Sequence, residues 1–264
     1  MMRMTPMVKN ILLINVGIFI IQSFFKLPFE DIFGLRVVFA DSFAPYQFIT
    51  YMWIHGNFGH ILSNMFAVFI FGPLLEQVWG SKRFLTFYLI CGIGAGVLFG
   101  VADFAEKWSL KQDAEAFVVN PSADAFSMFI VKHKTPYYNV ARLAEFSDEY
   151  YDNENVRGYK EQAIEVVKSI YSSMTNVPMV GASGAVFGIL MAFGMLFPNT
   201  QLFLLFPPIP IKAKYLVLFY GLYEVYAEFS RLPGDNIAHL AHLGGMAIAF
   251  VLLKIWKEDN GRFY

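Results

Sequence analysis

Gly181-Ala182-Ser183-Gly184-Ala185-Val186-Phe187-Gly188 opens an uncharged apolar run that continues to Phe197. Small residues around a single hydroxyl, where a membrane-spanning helix would start, admit two readings. In the first, the small residues let transmembrane helices pack closely and the serine bonds its own backbone. In the second, the hydroxyl is a nucleophile, which demands a base, oxyanion donors and access for water. The rest of the chain must supply these. It also supplies the membrane: 56% of the 264 residues are hydrophobic and 16% charged, with a mean hydropathy of +0.48. Soluble domains are near half apolar and a quarter charged, so this composition points to an integral membrane protein.

Working outward, hydropathy predicts six spans near 9–26, 58–78, 83–102, 178–197, 214–230 and 237–256. Each falls within the roughly 17–25 residues needed to cross the hydrocarbon core. The expected fold is an all-α polytopic bundle of six transmembrane helices. The first span follows Arg3 and Lys9 with no small-x-small cleavage site behind it, and reads as an uncleaved helix. The fifth carries Glu224 and Glu228, expected to reach the interface or bond locally, away from other polar residues. Residues 200–213 are apolar but proline-studded and read as an irregular loop along the membrane surface. A net charge of −1 leaves no basic stripe for phosphates and excludes nucleic acid as a partner. The one cysteine, Cys91, cannot form an internal disulfide.

Basic residues flank one set of span ends: Arg3 and Lys9, Lys82 and Arg83, Lys212 and Lys214, then Lys254, Lys257 and Arg262. By the positive-inside rule this side is cytoplasmic, with both termini inside. The organisation is then residues 1–102 for helices 1–3 with an outer loop at 27–56, an extracytoplasmic insertion at 103–177, and 178–264 for helices 4–6 and a cytoplasmic tail. The insertion holds 12 Asp and Glu against 8 Lys and Arg, which suits the outer side. It predicts short amphipathic helices, for example Asp113–Val119 and Tyr159–Ser172, broken at Asn120-Pro121 and Thr135-Pro136. Few of its apolar residues look free to build a core of their own.

Polar residues inside spans default to functional hypotheses. The segment entering the second span reads His55-Gly56-Asn57-Phe58-Gly59-His60-Ile61-Leu62-Ser63-Asn64, with His60 and Asn64 on one helix face. The sixth begins Asn236-Ile237-Ala238-His239-Leu240-Ala241-His242-Leu243-Gly244-Gly245, where Gly245 lets a neighbour approach beside His242. Helices 2, 4 and 6 run the same way, so Ser183, the His60/Asn64 pair and His242 enter at one face and similar depth. With a helix start near Val177, Ser183 would lie roughly 9 Å below it. Histidine is the usual base for a serine nucleophile, and Asn64, His60 and the Ser183 amide suit an oxyanion. No Asp or Glu falls in the outer part of helices 2, 4 or 6, so a Ser–His dyad is the economical reading. His60 and Asn64 bonding each other is the structural alternative, and His239 lies at a depth that also suits a base. A zinc protease would want H-E-x-x-H, which is absent; no metal or cofactor is called for.

The set H-x4-H-x3-N, G-A-S-G-A and A-H-x-G-G closely resembles the rhomboid intramembrane serine proteases. The resemblance extends to Glu76, twelve residues after Asn64, and to Pro-Ile-Lys-Ala-Lys-Tyr at 210–215. It covers residues 40–100 and 178–256, not the insertion. It implies Ser183 as nucleophile, His242 as base, and His60, Asn64 and the Ser183 amide as oxyanion hole. Gly181 would hold the turn open and Phe187 would stack on His242. His55 and His239 would support the mouth, and Glu76 would tether the inner helix ends. Substrates would be transmembrane proteins in the lipid bilayer, cleaved at small residues where the helix unwinds easily. The bilayer expected here is a bacterial inner membrane, with the site opening outward. Tyr46-Gln47 stands where some members have Trp-Arg, and Gly245-x-x-x-Ala249 replaces a Gly-x-x-x-Gly. A catalytically inactive relative that binds clients, or a proton-coupled transporter using Glu224, Glu228 and the histidines, are the rival readings.

Overall fold

The computed structural model describes residues 4–133, 138–203, 208–230 and 237–256. Arg3, Thr135-Pro136, Asn236, Lys257 and Arg262, used above, lie outside the described residues. Pro6 opens helix α1 (Pro6–Phe25) at the position where a missing N–H costs nothing, and Lys26 closes it at φ 50°. Two short helices, α2 (Phe29–Phe33) and α3 (Gln47–Thr50), and a 3₁₀ turn at Tyr51–Trp53 shape the following loop. Asn57 caps α4 (Phe58–Trp79), its side-chain oxygen accepting the His60 N–H at 2.9 Å. Then come α5 (Ser81–Val119), α6 (Ala123–Lys132), α7 (Val140–Asp152), α8 (Arg157–Thr175) and α9 (Ser183–Leu196). Strands β1 (Gln201–Phe203) and β2 (Pro210–Lys212) pair antiparallel with Leu202 opposite Ile211, a small hairpin where an irregular loop was expected. Helices α10 (Ala213–Ser230) and α11 (His239–Ile255) follow.

The chain divides into two compact units. The first comprises the described parts of 1–35, 45–100 and 178–264. At its centre, α9 is buried except for the half-exposed stripe Ser183, Phe187, Met191 and Met195, spaced one per turn. It packs most extensively on α11. A Cβ on Gly245 would collide with the Gly184 carbonyl, and one on Gly184 would lie 2.5 Å from the Ala95 side chain. Only residues this small permit that approach. Outward faces carry Leu13, Ile20, Leu62, Phe66, Phe219 and Phe229, while Asn15, Glu76, Glu224, His239 and His242 are buried. Apolar outside and polar within is the arrangement of a helical membrane protein.

Among the described residues, α1, α4 and α5 are long and apolar enough to cross a bilayer. Helices α9 and α11, with 14 and 17 residues, are shorter than the expected spans, and α10 carries Lys214, Glu224 and Glu228. At 1.5 Å per residue, α9 is about 21 Å long against a hydrocarbon core of about 30 Å. Its predicted first turn is not helical. Met179 instead bridges Leu35, with Leu35 N–H donating to Met179 O at 2.9 Å and Met179 N–H to Leu35 O at 2.8 Å. Ser183 is therefore the first helical residue and not six residues inside.

The second unit comprises 36–44 and the described parts of 101–177. The helix does not end at 102, where the third span was expected to stop. Residues 103–119 contain no Gly or Pro, carry i,i+4 pairs such as Lys107–Asp103 at 2.8 Å, and continue α5 to Asn120-Pro121. This unit does build a core, contrary to the expectation from composition: Leu110, Ala114, Phe117, Phe126, Phe129, Tyr150, Val167 and Ile170 bury together. Segment 36–44 contributes Phe39, against Phe104 and Trp108, and Arg36, whose Nε donates to Asn176 O at 2.9 Å.

Candidate active site

A cavity of about 630 Å³ opens at the N-terminal ends of α4, α9 and α11. Its wall includes His60 and Asn64 from α4, Ser183 and Phe187 from α9, Tyr220 from α10 and His242 from α11. As the first helical residue, Ser183 offers an amide from the set that a helix start leaves without an intrahelical acceptor. The positive end of the helix dipole lies at the same point.

Gly181 adopts φ 119°, a backbone region that favours glycine, and its N–H donates to Tyr51 O at 3.0 Å. A Cβ there would lie 2.5 Å from His60 Nε2 and 3.7 Å from Asn64 Nδ2. The two side-chain nitrogens thus converge on the glycine two residues before Ser183. Asn64 Nδ2 is buried and bonds nothing among the described residues, a donor without an acceptor. His60 and Asn64 bonding each other finds no support in that pattern.

The Phe187 and His242 rings lie parallel, centroids 4.2 Å apart and 9° between planes. Four residues separate Ser183 from Phe187, so one helix face carries both the hydroxyl and the ring that orients the imidazole. His55 is fully buried with its ring edge-on to His60 at 5.0 Å, and its carbonyl accepts from Gln22 Nε2 at 3.1 Å. It packs behind His60 and does not line the cavity. Glu76, at the far end of α4, accepts the Met7 and Val8 amides at 2.9 Å each and the Ser81 hydroxyl at 2.5 Å. It joins the start of α1 to the start of α5. Tyr46 and Gln47 both reach the Ile32 carbonyl, at 3.1 and 3.4 Å, holding the outer loop without the Trp-Arg pair.

One placement overturns the sequence reading. Glu224 was expected to sit apart; instead its Oε2 lies 2.5 Å from His239 Nδ1 and 2.9 Å from His242 Nδ1, all three residues buried. Helix α10 thus brings a carboxylate to the two histidines of α11. The signal was present: Ala213, Val217, Glu224 and Ala227 form the buried stripe of α10 at helical spacing.

A rhomboid-domain family model matches residues 42–132 and 163–257, so it includes all of α5 and part of the stretch read as an insertion. Rhomboid-like protein 11, chloroplastic, of Arabidopsis thaliana is 34% identical over 123 residues, 46% of this chain and 39% of that protein. RHOMBOID-like protein 12, mitochondrial, of the same plant is 23% identical over 261 residues, 97% of this chain and 60% of that protein. Putative rhomboid protease YdcA of Bacillus subtilis (strain 168) is 31% identical over 101 residues, 34% of this chain and 47% of that protein. The chain thus spans between 39% and 60% of the length of these relatives.

Proposed function

The chain belongs to the rhomboid family, whose domain covers most of its length, and from that premise we propose that it is an intramembrane serine endopeptidase. The observation that carries this reading is the single cavity wall shared by Ser183, His242, His60 and Asn64, with Gly181 between donors and nucleophile. Ser183 Oγ attacks the scissile carbonyl carbon while its proton passes to His242 Nε2. The carbonyl electron pair moves onto oxygen, where His60, Asn64 Nδ2 and the Ser183 amide donate to it. As the oxyanion collapses, the C–N bond breaks and His242 returns the proton to the leaving amine. Water then enters by the same route and attacks the acyl carbon as His242 takes its proton; the C–Oγ bond breaks, His242 returns the proton to Ser183 Oγ, and the acid product leaves.

Substrates are membrane proteins cleaved in or near a transmembrane segment, at small residues whose helix unwinds easily. The cavity lies at the helix ends opposite Glu76, Lys82 and Arg83, so the site faces away from the basic flank. In a bilayer that puts the chemistry on the side into which chains are translocated.

Fluorophosphonate labelling of detergent-purified protein tests the reading. Wild type should label and Ser183→Ala should not. Labelling that survives the substitution, or never appears in wild type, would overturn it in favour of a client-binding or transport role.

A further inference from the structure

We infer that Glu224 is the positioning residue for His242, so that the site works as a Ser183–His242–Glu224 triad and not as a dyad. This rests on the protease reading and deepens it. An ionised carboxylate only accepts hydrogen bonds, so one Glu224 oxygen within 2.5 and 2.9 Å of two imidazole Nδ1 atoms serves both by accepting an N–H from each. Both rings are then held as the Nδ1–H tautomer. For His242 that leaves the lone pair on Nε2, the nitrogen the reaction needs. A ring free to exchange tautomers would present the wrong nitrogen part of the time.

The three partners divide the work. Phe187, parallel to the imidazole, sets the plane of the ring. Glu224 sets its rotation within that plane and its tautomer, and when His242 takes the serine proton the carboxylate lies against the new positive charge. In a buried site such a pairing counts for far more than in water. His239 donates to the same Oε2, which keeps Glu224 from turning away. It acts on the acid and not on the substrate, which accounts for a second histidine three residues before the base.

The same three side chains could be taken for a metal site, since their ligand atoms lie within 4.8 Å of one another. The separations argue otherwise. Two ligand atoms on one tetrahedral zinc lie about 3.3 Å apart, given bonds of about 2.0–2.1 Å. At 2.5 and 2.9 Å, Glu224 Oε2 and the two Nδ1 atoms are at hydrogen-bond lengths.

The test measures the rate of fluorophosphonate labelling of Ser183, separated into the maximal rate and the half-saturating probe concentration. Glu224→Gln keeps the shape of the side chain and should cut the maximal rate by about 10²- to 10⁴-fold, with half-saturation within about threefold. Glu224→Asp, which keeps the acceptor one methylene shorter, should recover at least about tenfold of that loss. A merely structural role would lower the labelled fraction and the melting temperature without this split or rescue. Should Glu224→Gln fail to fold, Glu224→Ala decides, per folded molecule: a maximal rate lowered at least about 10²-fold supports the inference and an unchanged one overturns it. Wild-type rates in Glu224→Gln would overturn the triad while leaving the protease standing, whereas absence of labelling in wild type removes the protease reading itself. Labelling lost to a zinc chelator and restored by Zn²⁺ would assign the cluster to a metal and also overturn the inference.

Discussion

The carbonyl of Tyr51 accepts the Gly181 amide at 3.0 Å, and the Tyr51 hydroxyl donates to Gly92 O in α5 at 2.6 Å. One tyrosine thus ties the residue two before Ser183 to the helix behind it. Gly181→Ala strains both this link and the site, since φ 119° disfavours any side chain and the new Cβ meets His60 Nε2. The backbone cost alone is about 1–3 kcal/mol. Labelling and cleavage should fall at least about 10²-fold while circular dichroism stays helical; a fully active alanine variant would show that the glycine has no part in the site.

Asn64→Ala removes a buried donor that has no acceptor among the described residues. The expected signature is a split between activity and stability. Turnover should fall about 10²- to 10³-fold, the cost of one oxyanion donor. Stability should change by less than about 1 kcal/mol, because no hydrogen bond to Nδ2 is lost on truncation. A large loss of stability with little change in turnover would make Asn64 a packing residue.

His55 lies in the non-helical segment before α4, and burial, with His60 second, pushes its imidazole down from 6.5 to about 3. A folded value below the unfolded one means that the unfolded chain binds the proton first. The stability from neutral His55 is therefore complete above about pH 6.5 and lost as pH falls toward about 3. Between about pH 7 and pH 4, wild type should lose about 2–3 kcal/mol through this residue, and His55→Phe should show a correspondingly flatter melting curve. Parallel pH profiles for the two proteins would contradict this.

Glu76→Gln probes the opposite end of the bundle. The carboxylate accepts two amides of the first turn of α1, where the helix dipole favours a negative charge, and the Ser81 hydroxyl. Replacing it should lower unfolding free energy by about 1.5–3 kcal/mol in a mild micelle. The labelling rate per folded molecule should stay at the wild-type value, since about 18 Å of helix separates Glu76 from Asn64. A reduced rate at full occupancy of the folded state would show coupling between the two ends.

Patterns that repeat within one helix were legible in the sequence. His60 and Asn64 at i,i+4, and the small residues facing each other as Gly184 and Gly245, announce their faces locally, and so did the apolar runs. What stayed hidden depends on partners far along the chain. The start of α9 is set by Leu35, and Phe39 joins the second unit through its ring contacts with Phe104 and Trp108. Glu224 was hidden differently. Hydropathy registers it as a flaw in a span, whereas the stripe Val217–Glu224–Ala227 shows it turned inward, toward a histidine 18 residues ahead.

The Leu35–Met179 bridge bears on how far α9 can grow. Were the helix to extend backward by one turn, the Ser183 amide would bond the carbonyl four residues earlier, that of Met179. That carbonyl is already engaged by Leu35. Helix elongation adds a hydrogen bond with each residue, so the apolar stretch before Ser183 has reason to wind up unless something holds it extended. The bridge and the helix therefore compete for one oxygen atom, and the outcome decides whether the Ser183 amide stays outside the helical ladder or is absorbed into it. Leu35 is not part of the cavity wall, yet it governs how many unengaged amides the cavity contains.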